Sequence, residues 1–329
     1  MSASKPRISI VGLGLIGGSI GLALRQGGVA SSVIGHDRDR FANSEAKKLG
    51  AVDRIEWNLI SACEGSDFII LATPVGAIEE TLKAIGPYLR PGCVVMDTAS
   101  LKGPVVAWAA QHLSDQVHFV GGDPILSATI RGQGGLAAAR ADLFKGGLFC
   151  LVPPATTDSD AVKLAADLVS LLGAKPFFLD VEEHDGLLAA VDHMPMLLAL
   201  AMVETLIRQP AWRELRKVAG PAFEASTQLI TPSSVGYSDL FVLNRDNVVR
   251  WIDELVASLD SIRGALVEEE MEALLDRFLT AQEERQKWLA DRAMGEWNEE
   301  LRAEMPPRMS IMDSLFGTFW RRKPKRDQS

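Results

Sequence analysis

The sequence predicts an α/β fold: a doubly wound parallel sheet followed by an all-helical domain. Three observations carry this. Short apolar runs alternate with helix-period segments through the first half. A glycine-spaced turn, "GLGLIG" at residues 12–17, joins the first run to the first helix. Strand signals stop after residue 181.

The apolar runs lie at 8–11, 33–35, 68–72, 94–97, 119–121 and 149–152. Strands covered on both faces read as continuous apolar runs, and helices between them imply parallel crossovers. Pro153-Pro154 looks like a break, yet 161–172 reads as another helix and 175–179 as another strand. The boundary is therefore placed at 181: a nucleotide-binding domain at 1–181, a helical domain at 182–305, and a tail at 306–329. In the second domain, 182–208 is one long helical pattern interrupted by Pro195. Ile252, Leu255, Leu259, Ile262 and Leu266 form an apolar stripe on another helix. A helix apolar nearly all round must be buried, either in a homodimer core or in an intrachain bundle. The tail joins an amphipathic segment to the basic run 321–326. That pattern suits an acidic partner or a membrane surface, or else a docked, solvated terminus.

Composition removes several function classes. A net charge of −9 over 329 residues argues against nucleic-acid binding, which needs a basic face. Three dispersed cysteines give neither a disulfide framework nor a metal site. The chain enters a strand at once, without a secretory pattern, so a cytoplasmic protein is expected. The apolar run 194–203 is too short for a membrane span, which takes about 20 residues.

The glycine turn carries the cofactor expectation. Gly12, Gly14 and Gly17 form G-x-G-x-x-G between a strand and a helix, with Leu15 and Ile16 opening the helix toward a pyrophosphate. Asp37 ends the next strand, where a carboxylate meets the ribose hydroxyls of NAD. Arg38 beside it leaves NADP possible. The strand end at Thr73 and Pro74 is expected to line the same Rossmann-like crevice. Two more polar strand ends follow, at 97–102 and at Asp123.

Read together, "VGLGLIGGSI", "ILATPV", "DTASLKGPV", "GG-x-P", "EEHD", "DHMPMLLALAM" and "LFVLNRDN" resemble the prephenate/arogenate dehydrogenase family over roughly 6–300. The resemblance implies an N-terminal nucleotide-binding domain and an all-helical dimerisation domain. It also implies NAD(P)-dependent oxidative decarboxylation of a cyclohexadiene acid in tyrosine biosynthesis. Ser100 matches the serine that orients the reacting hydroxyl. The family's catalytic histidine is here Asp123. His193 matches the first histidine of a Ser-His-Leu-Pro-His stretch whose second is Met196, and becomes the next candidate base. Gln228 stands where the family holds a carboxylate with arginine. Lys102, Arg131 and Arg245 are the cations left to bind substrate. Three readings stay open: a dehydrogenase of the family's own substrates, an oxidoreductase with another substrate, or a non-catalytic nucleotide-binding homologue.

Overall fold

A computed structural model describes residues 5–127, 135–231 and 237–294. Arg131 and the tail 306–329 lie outside them. The described residues form two compact units. One runs through Val181 and resumes at Leu289, and the other is Glu182–Trp288. The sequence had placed all of 182–305 in one helical domain. The end of the last helix instead groups with the first unit, where the Arg292 guanidinium donates to the Leu126 carbonyl at 3.1 Å.

The first unit is built on one eight-stranded sheet. Its strands are β1 (Arg7–Val11), β2 (Ser32–His36), β3 (Arg54–Ile55), β4 (Phe68–Leu71), β5 (Val94–Asp97), β6 (His118–Ile125), β7 (Leu148–Val152) and β8 (Lys175–Phe178). They lie in the order β3-β2-β1-β4-β5-β6-β7-β8. All neighbours are parallel except β6 and β7. The first six strands have the doubly wound order whose direction of growth reverses between β1 and β4, the place where such sheets bind ligands. Ile8, Ile10, Val33, Ile70, Val94, Met96, Val120, Phe149 and Leu151 fill the core against the helices. The two-residue β3 has no sequence signal of its own. It exists because Ile34 and Gly35 offer it a paired edge.

The sequence ends the fifth apolar run at Gly121 and puts Asp123 at the polar strand end just beyond it. The structure corrects this. β6 continues to Ile125, with Asp123 opposite Cys150 of antiparallel β7. Ladder pairing with β5 stops at Val120, so residues 121–125 have β7 as their one strand neighbour. Pro124, which has no N–H to donate, is tolerated on such a one-sided strand.

The three cysteines are buried and free. Burial pushes each thiol up to about 12, and at Cys150 the neighbouring Asp123 charge adds to the effect. Their thiolates are the nucleophilic form. No native thiol is therefore expected to react with a disulfide reagent at neutral pH, and all three should react after unfolding. A count of released chromophore checks this.

In the second unit, 182–208 is not broken at Pro195. Helix Val181–Leu188 widens into a π-turn at Ala189–His193 and continues as Met194–Ile207. The wide turn accommodates the missing N–H and ring bulk of proline without ending the helix. The continuous run Val181–Ile207 is thus long and apolar enough to cross a membrane by length and composition, which corrects the length argument made from 194–203. Helices Trp212–Val218, Pro221–Thr227, Tyr237–Leu243, Arg245–Val267 and Met271–Met294 complete the described elements. The expected stripe on Arg245–Val267 is present but uncovered. Ile252, Leu259, Ile262 and Leu266 are exposed, as are Met271, Leu275 and Phe278 on the next helix.

Candidate active site

In the first unit, the three glycines of the turn have three different reasons. Gly12 adopts φ +94°, and a Cβ there would stand 2.4 Å from the Ala72 carbonyl oxygen. A Cβ on Gly17 would strike the Gly12 carbonyl oxygen, so helix Leu15–Gly27 rests directly on the turn. A Cβ on Gly14 would meet nothing within 4 Å. That open space lies at the helix N-terminus, where no side chain caps the N–H groups. Leu15, Ile16 and Gly17 present N–H groups without intrahelical acceptors, the arrangement that takes a phosphate.

Around this opening, Asp37 is set firmly. Its carboxylate accepts from Leu13 N at 2.7 Å and from Asp39 N at 2.8 Å. Its backbone is gripped on both sides by Asn43, whose Oδ1 accepts from Asp37 N and whose Nδ2 donates to Asp37 O. Two oxygens carry about four acceptor sites, so the carboxylate retains capacity for ribose hydroxyls. Arg38 is exposed beside it. On β4's side, Thr73 Oγ1 is buried and has no hydrogen-bond partner among the described residues. Pro74 is exposed and Val75 begins a short turn of helix. An open glycine turn, a ready carboxylate and an unpartnered hydroxyl at the β1/β4 crevice fit a dinucleotide.

The next strand end answers why two glycines precede Asp123. Lys102 and Asp97 are both fully buried and form an ion pair. Lys102 Nζ also donates to the Gly122 carbonyl at 2.8 Å, and Asp97 Oδ1 accepts from Gly122 N at 3.2 Å. The pair thus holds Gly122 by both its N–H and its carbonyl. A Cβ on Gly121 would stand 2.8 Å from Lys102 Cδ, and one on Gly122 would stand 2.6 Å from the Asp97 carbonyl oxygen. The glycines make room for the clamp. Lys102 was expected to bind substrate. Its ammonium is engaged by Asp97 and by the Gly122 carbonyl, so it supports the strand that carries Asp123. Asp123 is 5% exposed. Ser100 is half-buried in the loop between β5 and helix Gly103–His112.

In the helical unit a second polar cluster is buried. His184 Nδ1 lies 2.9 Å from Asp185 Oδ1. His193 is fully buried at the end of the π-turn, beside Asn244 and the edge of Phe241. Gln228 is exposed at the end of helix Pro221–Thr227, and Arg245 is exposed with its guanidinium 3.2 Å from Asp246. Sequence reasoning missed Asn43, Asp97 and Asn244 as working residues. Asp97 and Asn244 stood inside motifs already singled out, while Asn43 looked like an ordinary helix residue.

The family model for the prephenate dehydrogenase nucleotide-binding domain matches residues 20–177, and that for its dimerization domain matches 180–280. The prephenate dehydrogenase of Bacillus subtilis is 31% identical over 290 residues, covering 87% of this chain and 76% of that one. The chain belongs to the prephenate dehydrogenase family. The cyclohexadienyl dehydrogenase of Zymomonas mobilis is 26% identical, covering 84% of this chain and 94% of its own. Among solved structures, the Aquifex aeolicus prephenate dehydrogenase in complex with hydroxyphenyl propionate and NAD+ superposes with a TM-score of 0.79. It is 28% identical and covers 87% of this chain and 99% of its own. The fold class and the family expected from the motifs are both shown.

Proposed function

We propose that this prephenate dehydrogenase family member oxidises and decarboxylates prephenate or arogenate with NAD, giving 4-hydroxyphenylpyruvate or tyrosine. The observation that carries this reading is the β1/β4 crevice, open at Gly14 and edged by the Thr73 hydroxyl and Asp37. NAD supplies a hydride acceptor for the ring carbon that bears the hydroxyl. Asp123 takes the hydroxyl proton as the carbonyl forms. The ring then loses its carboxylate as carbon dioxide, the electron pair aromatises the ring, and the resulting phenolate oxygen takes a proton back. Ser100 orients the hydroxyl toward Asp123. The Asp97–Lys102 pair keeps the Asp123 backbone in place during the transfer.

NAD is preferred over NADP because a 2′-phosphate would meet the Asp37 carboxylate. Tighter binding of NAD than NADP, by about tenfold or more, is expected, since like charges in contact cost over 1 kcal/mol. Asp37→Ala should reduce that ratio toward one. Cofactor titration by fluorescence reads both, and tighter NADP binding by the native protein would remove Asp37 from its role.

The working form is a cytoplasmic homodimer that does not cross a membrane. The uncovered stripe on Arg245–Val267 and the apolar run Val181–Ile207 supply the surface to be buried. A spanning helix would have to carry His184, Asp185 and His193 into lipid, where polar groups are expensive. Sedimentation of detergent-free protein at twice the chain mass is the expected result.

A different substrate is the second reading, favoured by Asp123, Met196 and Gln228 at positions where the motif resemblance implies histidines and an arginine. Turnover with prephenate and arogenate, each with NAD and NADP, separates the two. Absence of turnover with all four pairs overturns the first.

A further inference from the structure

Asn244 is buried immediately before helix Arg245–Val267, and its amide can be oriented from its partners. Its Nδ2 lies 3.0 Å from the Asp185 backbone carbonyl, which can only accept, so the NH2 group faces that oxygen. The Asn244 Oδ1 in turn accepts from Asn247 Nδ2 at 2.9 Å. The same Asn244 Nδ2 lies 3.3 Å from His193 Nδ1. A donor pointed at Nδ1 requires Nδ1 to accept, and an imidazole that accepts there carries its proton on Nε2. On the Nε2 side, an Asp192 carboxylate oxygen lies 3.9 Å away, which favours the proton at that nitrogen. A doubly protonated ring would set Nδ1–H against the amide NH2.

We propose that Asn244 is a positioning residue that holds His193 as the Nε2–H tautomer. His193 then donates a hydrogen bond to an anionic or carbonyl oxygen of the ligand and is not the base. The tautomer follows from the helical unit alone, whereas the ligand it serves rests on the dehydrogenase reading.

Long-range proton–nitrogen correlation spectra of the 15N-labelled full chain at neutral pH read the tautomer directly, with His193 assigned by its loss in His193→Gln. The expected wild-type spectrum shows an unprotonated Nδ1 and a protonated Nε2. Asn244→Asp replaces the donor by an acceptor and should move the proton to Nδ1. Asn244→Leu, kept in case the charged variant fails to fold, should leave a mixture of tautomers. A wild-type ring protonated at Nδ1, or at both nitrogens, overturns the proposal. Kinetics supply the second arm. Glutamine keeps an N–H close to the place of Nε2, so His193→Gln should cost about tenfold or less in kcat/KM, against about 10²–10⁴ for loss of a general base. A loss in the upper range overturns the donor role. Wild-type protein inactive on both substrates would defeat the dehydrogenase reading, and the spectra would still decide the tautomer.

Discussion

Asp123→Asn is expected to lower kcat by about 10²–10⁴-fold, the usual worth of a general base, while leaving the Kd for NADH unchanged. The amide matches the carboxylate in shape and can accept a hydrogen bond, yet it cannot take the hydroxyl proton. The backbone beneath it stays in place, because β7 pairs with residue 123 and the Asp97–Lys102 pair grips Gly122. Asp123→His restores the residue type implied by the family's motif. That variant is expected to turn over prephenate, with the acid side of its pH profile moved upward. The sign follows from the base having to be unprotonated. An imidazole ordinarily holds its proton to about pH 6.5 and a carboxylate to about 3.9, so activity falls away at a higher pH in the histidine form. Steady-state kinetics across pH check both variants. Wild-type kcat in Asp123→Asn would take Asp123 out of the chemistry.

Lys102→Met is expected to show its largest effect in stability. Both partners of the Lys102–Asp97 pair are fully buried. Removing one partner of such a pair leaves an uncompensated charge and costs about 3–5 kcal/mol. In a unit of this size that corresponds to a fall in Tm on the order of 10 °C. Replacing both, as Asp97→Asn with Lys102→Met, should recover part of the loss, since the charge left behind is removed with its partner. Thermal unfolding followed by circular dichroism measures all three proteins. An unchanged Tm accompanied by a raised KM for prephenate would return Lys102 to the substrate, against its buried position.

Much of the nucleotide-binding unit was legible because its signals are local. Seven of its strands read as apolar runs, and the glycine turn followed by Asp37 marked the crevice from residues adjacent in the chain. The end of β6 was misread for the opposite reason. Residues 121–125 are strand only because β7 pairs with them, and nothing within "GGDPI" announces that partner. The setting of Lys102 was hidden for a similar reason. From sequence, a lysine after a serine at a strand end looks like a substrate cation. In the fold, a carboxylate five residues earlier and a carbonyl 20 residues later take its charge. The helical unit was legible in its periodicity, but Pro195 suggested a break where a π-turn carries the helix through.

The sequence by itself determined the alternation of strand and helix, the glycine turn, the family, and an aspartate where the motif resemblance implies histidine. These are written in residue types and short spacings, which backbone geometry and side-chain chemistry convert directly into local structure. Only the tertiary structure decided which partners Lys102, Asn43 and Asn244 meet. Asn244 meets Asp185 and His193 across 59 and 51 residues of chain, and the Lys102 charge meets groups brought to it by β5 and β6. A buried polar group takes its role from whichever partner can satisfy it, and the fold brings that partner from elsewhere in the chain.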